Sequence, residues 1–232
     1  MRWIMGKHAL EETFKRNPKR LVEVHTYKKE DPLMQEFKQK GVKVVFSPKQ
    51  KLVSLVQSES HQGFVAKVQE RDCLTPKEFL KTAPGKSLVL MCDAIQDPQN
   101  FGSILRAAEC FGVDAIIYST NRNVALTPVV SKASVGASEI VPLMPVSNLA
   151  DTLKKFQDAG YFSVATEISD KAQSLNTFEF PQQTLLMIGA EGPGIQPLLS
   201  KKSDFHLYIP MKGSIDSLNV SQATAVLLSH WK

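Results

Sequence analysis

The sequence has little of what would mark a membrane, secreted or metal-binding protein. It contains only three cysteines, at positions 73, 92 and 110, and no C-x-x-C pair. This argues against a disulfide framework or a structural zinc site and favours a reducing compartment, the cytoplasm. The five histidines are scattered singly, so no metal site is expected. No apolar run approaches the ~20 residues that span a bilayer, and the first residues lack the apolar core of a secretory signal.

Two short glycine-containing segments fail the tests for nucleotide-binding loops. The segment 84–87 (PGKS) resembles the end of a P-loop, but Leu80 stands where the first glycine is required, and the segment precedes a strand. The segment 189–194 (GAEGPG) lacks both the G-x-G-x-x-G spacing and the acidic residue expected after it. The sequence therefore argues against a P-loop NTPase and against a nicotinamide-dependent enzyme.

What the chain does contain is an ordinary globular composition with an uneven charge. Its 232 residues are 43% apolar and 22% charged, enough for one large domain or two small ones. Residues 1–85 hold 17 Lys and Arg against 10 Asp and Glu, whereas residues 86–232 hold 11 against 13. A basic surface attracts phosphate backbones, so the N-terminal part is a candidate for nucleic-acid binding. A lysine-rich face without a partner is the alternative.

The N-terminal part reads as a small α/β unit followed by a connector. Period-3.6 and alternating patterns predict three helices and three strands, and residues 71–85, with two prolines and a glycine, fit a connector holding one short helix. The predicted helices are 6–14, 32–40 and 50–57, and the predicted strands are 21–25, 42–46 and 63–68.

The C-terminal part alternates between strands and helices, which predicts a parallel sheet covered on both faces. The run 87–92 is almost continuously apolar, as expected for a strand buried on both sides. In such sheets, ligands bind beyond the carboxyl ends of the strands. The predicted strands are 87–92, 115–118, 140–144, 163–166, 184–188 and 207–209, and the predicted helices are 101–111, 127–137, 149–159 and 218–231.

Three segments of the C-terminal part follow buried strands and contain candidate functional side chains. In 97–108, Asn100 is placed to cap the next helix and Arg106 lies nearly two turns into it. In 185–194, a strand runs into three glycines and Glu191, a composition that favours a ligand loop over a plain turn. In 209–225, Ser217 and Asn219 flank Leu218 where a helix begins, and they can cap the helix or bind a ligand.

These three segments together, in this order and at these strand ends, resemble the SpoU (TrmH-like) family of RNA ribose 2′-O-methyltransferases, part of the SPOUT superfamily. The resemblance covers about residues 88–230. The segments 6–9 (GKHA) and 61–66 (HQGFVA) resemble the start and end of the small substrate-binding domain, similar to ribosomal protein L30e, that many members have.

The resemblance implies a fold, a cofactor and roles for the candidate residues. It implies an α/β sheet with a C-terminal trefoil knot in residues 86–232, an L30e-like RNA-binding domain in 1–70 and a linker in 71–85. It also implies S-adenosylmethionine as methyl donor, RNA as substrate and a homodimer with the site at or near its interface. The implied site residues are Gly189, Ile209 and Leu218 for the cofactor, Arg106 for catalysis, and Asn100, Glu191, Ser217 and Asn219 for positioning ribose, arginine and backbone.

The sequence and this resemblance leave several functions open. The extra N-terminal domain favours ribosomal RNA of the large subunit, 23S rRNA, as substrate and a guanosine as target. A transfer-RNA ribose methyltransferase is the next alternative, and a base-modifying SPOUT enzyme is weaker. A non-catalytic RNA-binding protein of the same fold is the alternative from another class, although intact Arg106, Glu191 and Asn219 argue against it.

Overall fold

A computed structural model describes residues 1–231 and divides the chain into two compact units. The first unit contains Met1–Asp72, Phe101–Arg106 and Ala125–Ile140, and the second contains Cys73–Asn100, Ala107–Val124 and the chain from Val141 onward. The strands are β1 (Arg2–Met5), β2 (Leu21–Thr26), β3 (Lys43–Phe46), β4 (Phe64–Val68), β5 (Ser87–Asp93), β6 (Ala115–Ser119), β7 (Leu143–Val146), β8 (Phe162–Thr166), β9 (Gln173–Ser174), β10 (Gln183–Gly189) and β11 (Phe205–Tyr208). The helices are α1 (Lys7–Arg16), α2 (Pro32–Gln39), α3 (Lys49–Val56), α4 (Pro76–Thr82), α5 (Pro98–Cys110), α6 (Pro128–Ala133), α7 (Leu149–Asp158), α8 (Pro197–Lys202) and α9 (Val220–Ser229).

The first unit is built on a four-stranded sheet in the order β1-β4-β2-β3, in which only β2 and β3 are parallel. Its main core joins α1 and α2 to the sheet through buried side chains such as Leu10, Phe37 and Val24. Strand β1 was not predicted from the sequence, because its four residues pair with β4, about sixty residues further along the chain, and a four-residue strand has too little alternation to stand out.

A buried carboxylate connects β1 to the segment 125–140 inside the first unit. The side chain of Glu139 is fully buried, and its two oxygens accept hydrogen bonds from Arg2 and Arg20 at 2.5 and 2.9 Å. Burial raises the pKa of Glu139, but the charges and hydrogen bonds of Arg2 and Arg20 outweigh it, so the net shift of this pKa is downward. In the same segment, the Ser131 hydroxyl accepts a hydrogen bond from the backbone N–H of Met5 at 3.1 Å.

The second unit is built on an all-parallel, seven-stranded sheet in the order β7-β6-β5-β10-β8-β11-β9. Along β5, Val89 and Met91 face the cluster formed with α4, α7 and α8, while Leu88 and Leu90 point to the other face and are also buried. The predicted α/β fold with a large parallel sheet and helices is therefore confirmed. Parallel pairing places the carboxyl ends of β10, β8 and β11 at one edge.

Several boundaries differ from those predicted. Helix α5 begins at Pro98 rather than 101, because proline suits the first helical position and Asp97 caps the helix. The predicted strand 140–144 is shifted to β7, since a 3-10 turn occupies Ala137–Glu139. The last helix, α9 (Val220–Ser229), is two residues shorter at each end than the predicted helix 218–231. Helix α8 and strand β9 were not predicted, because elements of six and two residues are too short to show a period.

Candidate functional site

A cavity of about 240 Å³ lies where β8, β10 and β11 end in the second unit. Thr166 closes β8, Gly189 closes β10, and Tyr208 closes β11, and all three line the cavity. Most of its remaining wall is apolar, from Ile188, Ile209 and Leu218 among others. A pocket with apolar walls, backbone groups at strand ends and a few polar side chains is typical of a small-molecule site.

Asn100, Glu191 and Asn219 form a hydrogen-bonded group at the edge of this cavity, called here the amide–carboxylate cluster. The Glu191 carboxylate oxygen Oε1 accepts from Asn100 Nδ2 at 3.1 Å and from Asn219 Nδ2 at 2.5 Å. Asn219 Nδ2 also donates to Asn100 Oδ1 at 2.9 Å. Each of the three sequence segments therefore contributes one side chain to a single polar cluster.

Sheet pairing explains why these residues meet. Strands β5 and β10 are neighbours, and Asp93 at the end of β5 is paired in register with Gly189 at the end of β10. The segments that follow the two strands leave the sheet side by side and lead to Asn100, in the first turn of α5, and to Glu191 respectively. Asn219 reaches the same place as the N-cap of α9, where its Oδ1 accepts from the backbone N–H of Ser221 at 2.9 Å.

Asn100 does not cap the helix, contrary to the prediction. Asp97 is the N-cap of α5, and its Oδ1 accepts from the backbone N–H of Asn100 at 2.8 Å. The prediction was wrong because the helix starts one turn earlier, at the proline that follows Asp97. The consequence is functional, since the Asn100 side chain is free to donate to Glu191.

The loop after β10 is anchored at both ends by contacts that sequence reasoning missed. Ala190 and Gly194 form an isolated antiparallel bridge, with the Gly194 N–H donating to the Ala190 carbonyl at 3.0 Å. Asp93 is buried, and its carboxylate accepts from the backbone and side-chain N–H groups of Gln196 at 2.7 and 2.6 Å. These contacts fix the backbone on either side of Glu191.

Only glycine fits at position 189, because the backbone of the following loop packs directly against it. A Cβ at this position would overlap with the backbone of Gly194 and Ile195, because the loop folds back onto the end of β10. The glycine therefore permits a close approach of backbone to backbone at the wall of the cavity.

We expect Gly189→Ala to destabilise the protein by about 3 kcal/mol, since the overlapping atoms are backbone atoms that cannot move without opening the loop. Denaturant unfolding measures this effect. Gly85→Ala is the matched control, because a Cβ at Gly85 meets nothing within 4 Å and its φ is not positive. Equal unfolding midpoints for the two variants would show that the loop does not need a glycine at 189.

The other predicted site residues have different surroundings. Ser217, Ile209 and Leu218 line the 240 Å³ cavity, but Ser217 is exposed and its hydroxyl donates to Asp216 at 3.2 Å rather than to the amide–carboxylate cluster. Arg106 belongs to the first compact unit, where its side chain is exposed on α5. It has no hydrogen bond or ion pair with any residue in 1–231.

A second cavity, of about 410 Å³, adjoins the amide–carboxylate cluster. Asn100 and Glu191 form part of its wall, together with Gln96, Pro193 and Arg122. Arg122 lies in the loop after β6, and nothing in the sequence pattern around it marked it as a site residue.

Within residues 1–231 no group of three or more His, Cys, Asp or Glu side chains is arranged to hold a metal ion. Over the same residues, every helix is too short or too polar for a membrane span.

Comparison with known proteins finds matches over most of the chain. A family model described as the SpoU rRNA Methylase family matches residues 87–229, and one described as RNA 2′-O ribose methyltransferase substrate binding matches residues 3–72. The 23S rRNA (guanosine-2′-O-)-methyltransferase RlmB of Pasteurella multocida is 35% identical, covering 97% of this chain and 95% of that protein. The protein of the same name in Coxiella burnetii is 34% identical, covering 97% and 92%.

Among solved structures, the SpoU methyltransferase AviRb from Streptomyces viridochromogenes, in complex with the cofactor AdoMet, has a similar fold. Its TM-score is 0.81 at 21% identity, and the match covers 98% of this chain and 88% of that one.

Proposed function

The chain belongs to the SpoU rRNA methylase family, and we propose that it methylates the ribose 2′-hydroxyl of a guanosine in 23S ribosomal RNA. It is an RNA 2′-O-ribose methyltransferase whose methyl donor is S-adenosylmethionine, the cofactor bound in two solved structures of similar fold. The observation that supports the substrate best is the similarity to the two RlmB proteins, which covers 97% of this chain and so includes the N-terminal part.

The 240 Å³ cavity suits the adenosine part of the methyl donor. Its wall combines apolar side chains with the backbone of three adjacent strand ends, and Leu218 is 38% exposed beside it. We propose that backbone groups at Gly189, Ile209 and Leu218 bind the adenosine. When bound, S-adenosylmethionine would supply a methyl group on a positively charged sulfur, so that an O–CH3 bond can form as the S–CH3 bond breaks and the sulfur leaves as the neutral thioether S-adenosylhomocysteine.

The residues of the chain must position the ribose and help its hydroxyl to lose a proton, because a neutral hydroxyl is a weak nucleophile. The two amide groups of Asn100 and Asn219 both donate to one oxygen of Glu191, which fixes the orientation of the carboxylate. Glu191 and Ser217 then have acceptor oxygens available for ribose hydroxyl groups.

Arg106 is proposed as the catalytic residue. An arginine side chain keeps its proton at neutral pH and is a poor general base. It can instead bind the phosphate next to the target ribose and stabilise the developing oxyanion, which favours deprotonation of the hydroxyl.

We propose that the N-terminal part selects the RNA. Its exposed cations include Lys28 and Lys38, whose ammonium groups lie 5.3 and 4.9 Å from the ring centroids of the exposed Tyr27 and Phe46. Interleaved cations and aromatic rings are the groups that bind phosphates and stack on unpaired bases.

Replacing Lys28 and Lys38 together by Gln is expected to reduce the salt dependence of RNA binding by about 1.4 in the slope of log K against log salt, or about 0.7 for each lost phosphate contact to single-stranded RNA. Binding to a 23S rRNA transcript at several salt concentrations measures the slope. Lys154 and Lys155, exposed on α7 of the second unit, provide the matched double Gln control. The same slope for both double variants would remove these two lysines from the RNA interface.

We also propose a homodimer, a trefoil knot formed by residues of the C-terminal part, and a cytoplasmic location. The apolar side chains of Ile215 and Leu218 are 75% and 38% exposed, and a second copy packed there would cover them. The two loops that border the cofactor cavity, after β10 and after β11, are the segments that a knot would bring together. The cytoplasm is where ribosomal RNA is made and modified in bacteria, the source of the RlmB relatives.

The function is tested with the purified protein, labelled S-adenosylmethionine and an unmodified 23S rRNA transcript. We expect label to be transferred to one ribose of the transcript, and the same 2′-O-methyl group to be missing from ribosomal RNA of cells without the protein. Transfer to tRNA alone would overturn the proposed substrate. Failure to bind S-adenosylhomocysteine in a calorimetric titration would contradict the enzymatic role altogether.

A further inference from the structure

The wall of the 410 Å³ cavity includes the side chain of Arg122, whose guanidinium group makes no hydrogen bond or ion pair within residues 1–231. Arg122 is exposed there. The cavity also contains two carboxylates, but neither is paired with Arg122. Asp97 accepts from the backbone N–H of Asn100, and Glu191 accepts from the side-chain amides of Asn100 and Asn219.

The backbone of the Arg122 loop is fixed relative to the cluster. Asn123 Oδ1 accepts from the Ile95 N–H at 2.9 Å, and the Val124 N–H donates to the Ile95 carbonyl at 2.9 Å. Ile95 belongs to the loop between β5 and α5 that contains Asp97, and this loop includes Ala94 at a φ of 58°, a conformation that non-glycine residues seldom adopt. The loop that contains Arg122 and the loop between β5 and α5, which leads directly to Asn100, are thus held to each other by a pair of hydrogen bonds.

Arg122 also borders a smaller cavity, of about 130 Å³, at the start of α7. The helix end there is already satisfied, because Asn148 Oδ1 accepts from the N–H groups of Ala150 and Asp151. The N-terminus of α7 therefore already has an acceptor in the smaller cavity. We place the anionic ligand of Arg122 in the larger, 410 Å³ cavity, which the amide–carboxylate cluster also borders.

We propose that Arg122 binds a phosphate of the RNA backbone next to the ribose that receives the methyl group. A ribose within an RNA chain has a phosphate on each side, and the planar guanidinium can donate two parallel hydrogen bonds to phosphate oxygens. With the phosphate bound by Arg122, the attached ribose reaches the amide–carboxylate cluster on the same cavity wall. This inference rests on the proposed function and names a further substrate-binding residue for it.

The test compares Arg122→Gln with wild type on an unmodified 23S rRNA transcript. We expect the KM for the transcript to rise about 10- to 100-fold, since a charged hydrogen-bonded contact is lost, and kcat at saturating RNA to change by less than about threefold. The salt slope of RNA binding should fall by about 0.7. Arg122→Lys keeps the charge but loses the second parallel hydrogen bond. Its salt slope should therefore equal that of wild type, and its KM should lie between those of wild type and Arg122→Gln.

Lys155→Gln is the matched control, because it removes one exposed cation from the same compact unit at a position that lines neither cavity. An Arg122→Gln variant with the KM and salt slope of Lys155→Gln would overturn the proposal. Calorimetric binding of S-adenosylhomocysteine should be equal in all variants, and a loss of that binding in Arg122→Gln would reassign the residue to the cofactor site. Wild-type protein that binds the transcript but methylates no RNA would refute the proposed function, while the salt slopes would still decide the role of Arg122.

Discussion

Arg106→Ala is expected to lower kcat by about 100- to 1,000-fold, the usual cost of removing one group that stabilises developing charge in a transition state. Arg106 is exposed and has no partner within residues 1–231, so its removal should leave the free energy of unfolding within about 0.5 kcal/mol of wild type. Methyl transfer to a 23S rRNA transcript and denaturant unfolding measure the two quantities.

Glu109→Ala is the control for Arg106, because Glu109 is exposed on the same helix. A folded Arg106→Ala protein with undiminished transfer would remove Arg106 from the mechanism.

Mixing Arg106→Ala protein with Glu191→Ala protein tests which subunit of the proposed dimer supplies the arginine. If Arg106 acts in the partner's site, freely mixed chains regain about a quarter of the wild-type activity, whereas action within its own chain gives none.

Glu191→Ala is expected to lower kcat by about 100-fold, because Asn100 and Asn219 both donate to the carboxylate and lose their common acceptor. A displacement of about 1 Å in the ribose-positioning groups is sufficient for a loss of that size. Single-turnover methyl transfer measures it with cofactor and RNA both saturating.

Glu191→Gln distinguishes the positioning role of the Glu191 side chain from the effect of its negative charge. Glu191→Gln keeps an oxygen for the two amide donors, so it should retain more activity than Glu191→Ala. Glu179→Ala is the control, since Glu179 is an exposed glutamate of the same compact unit with no partner within residues 1–231. Equal rates for Glu191→Ala and Glu179→Ala would show that the amide–carboxylate cluster does not position the substrate.

Much of the fold could be predicted because helices and strands are local. The apolar run 87–92 and the other predicted strands of the large sheet lie within a few residues of their predicted places, and α2 lies within the predicted helix 32–40. Asn219 also caps α9, one of the two roles considered for it. The failures have local causes as well: α5 starts at Pro98, so Asp97 rather than Asn100 is its cap.

The sequence by itself determined the residue types and the segments of the site: an arginine and an asparagine on one helix, a carboxylate among glycines, and an asparagine at the start of the last helix. Only the tertiary structure decided which of them meet. Asn100 lies 91 residues from Glu191 and 119 from Asn219. Asn100 and Glu191 come together because β5 and β10 are paired in register, and Asn219 joins them from the start of α9. Arg122 has no local signal at all, since its place beside Asn100 depends on backbone hydrogen bonds to Ile95. The hydrophobic pattern that predicts a helix or strand depends on residues close together in sequence. The order of the strands depends on how the whole sheet packs, so it cannot be predicted from local segments.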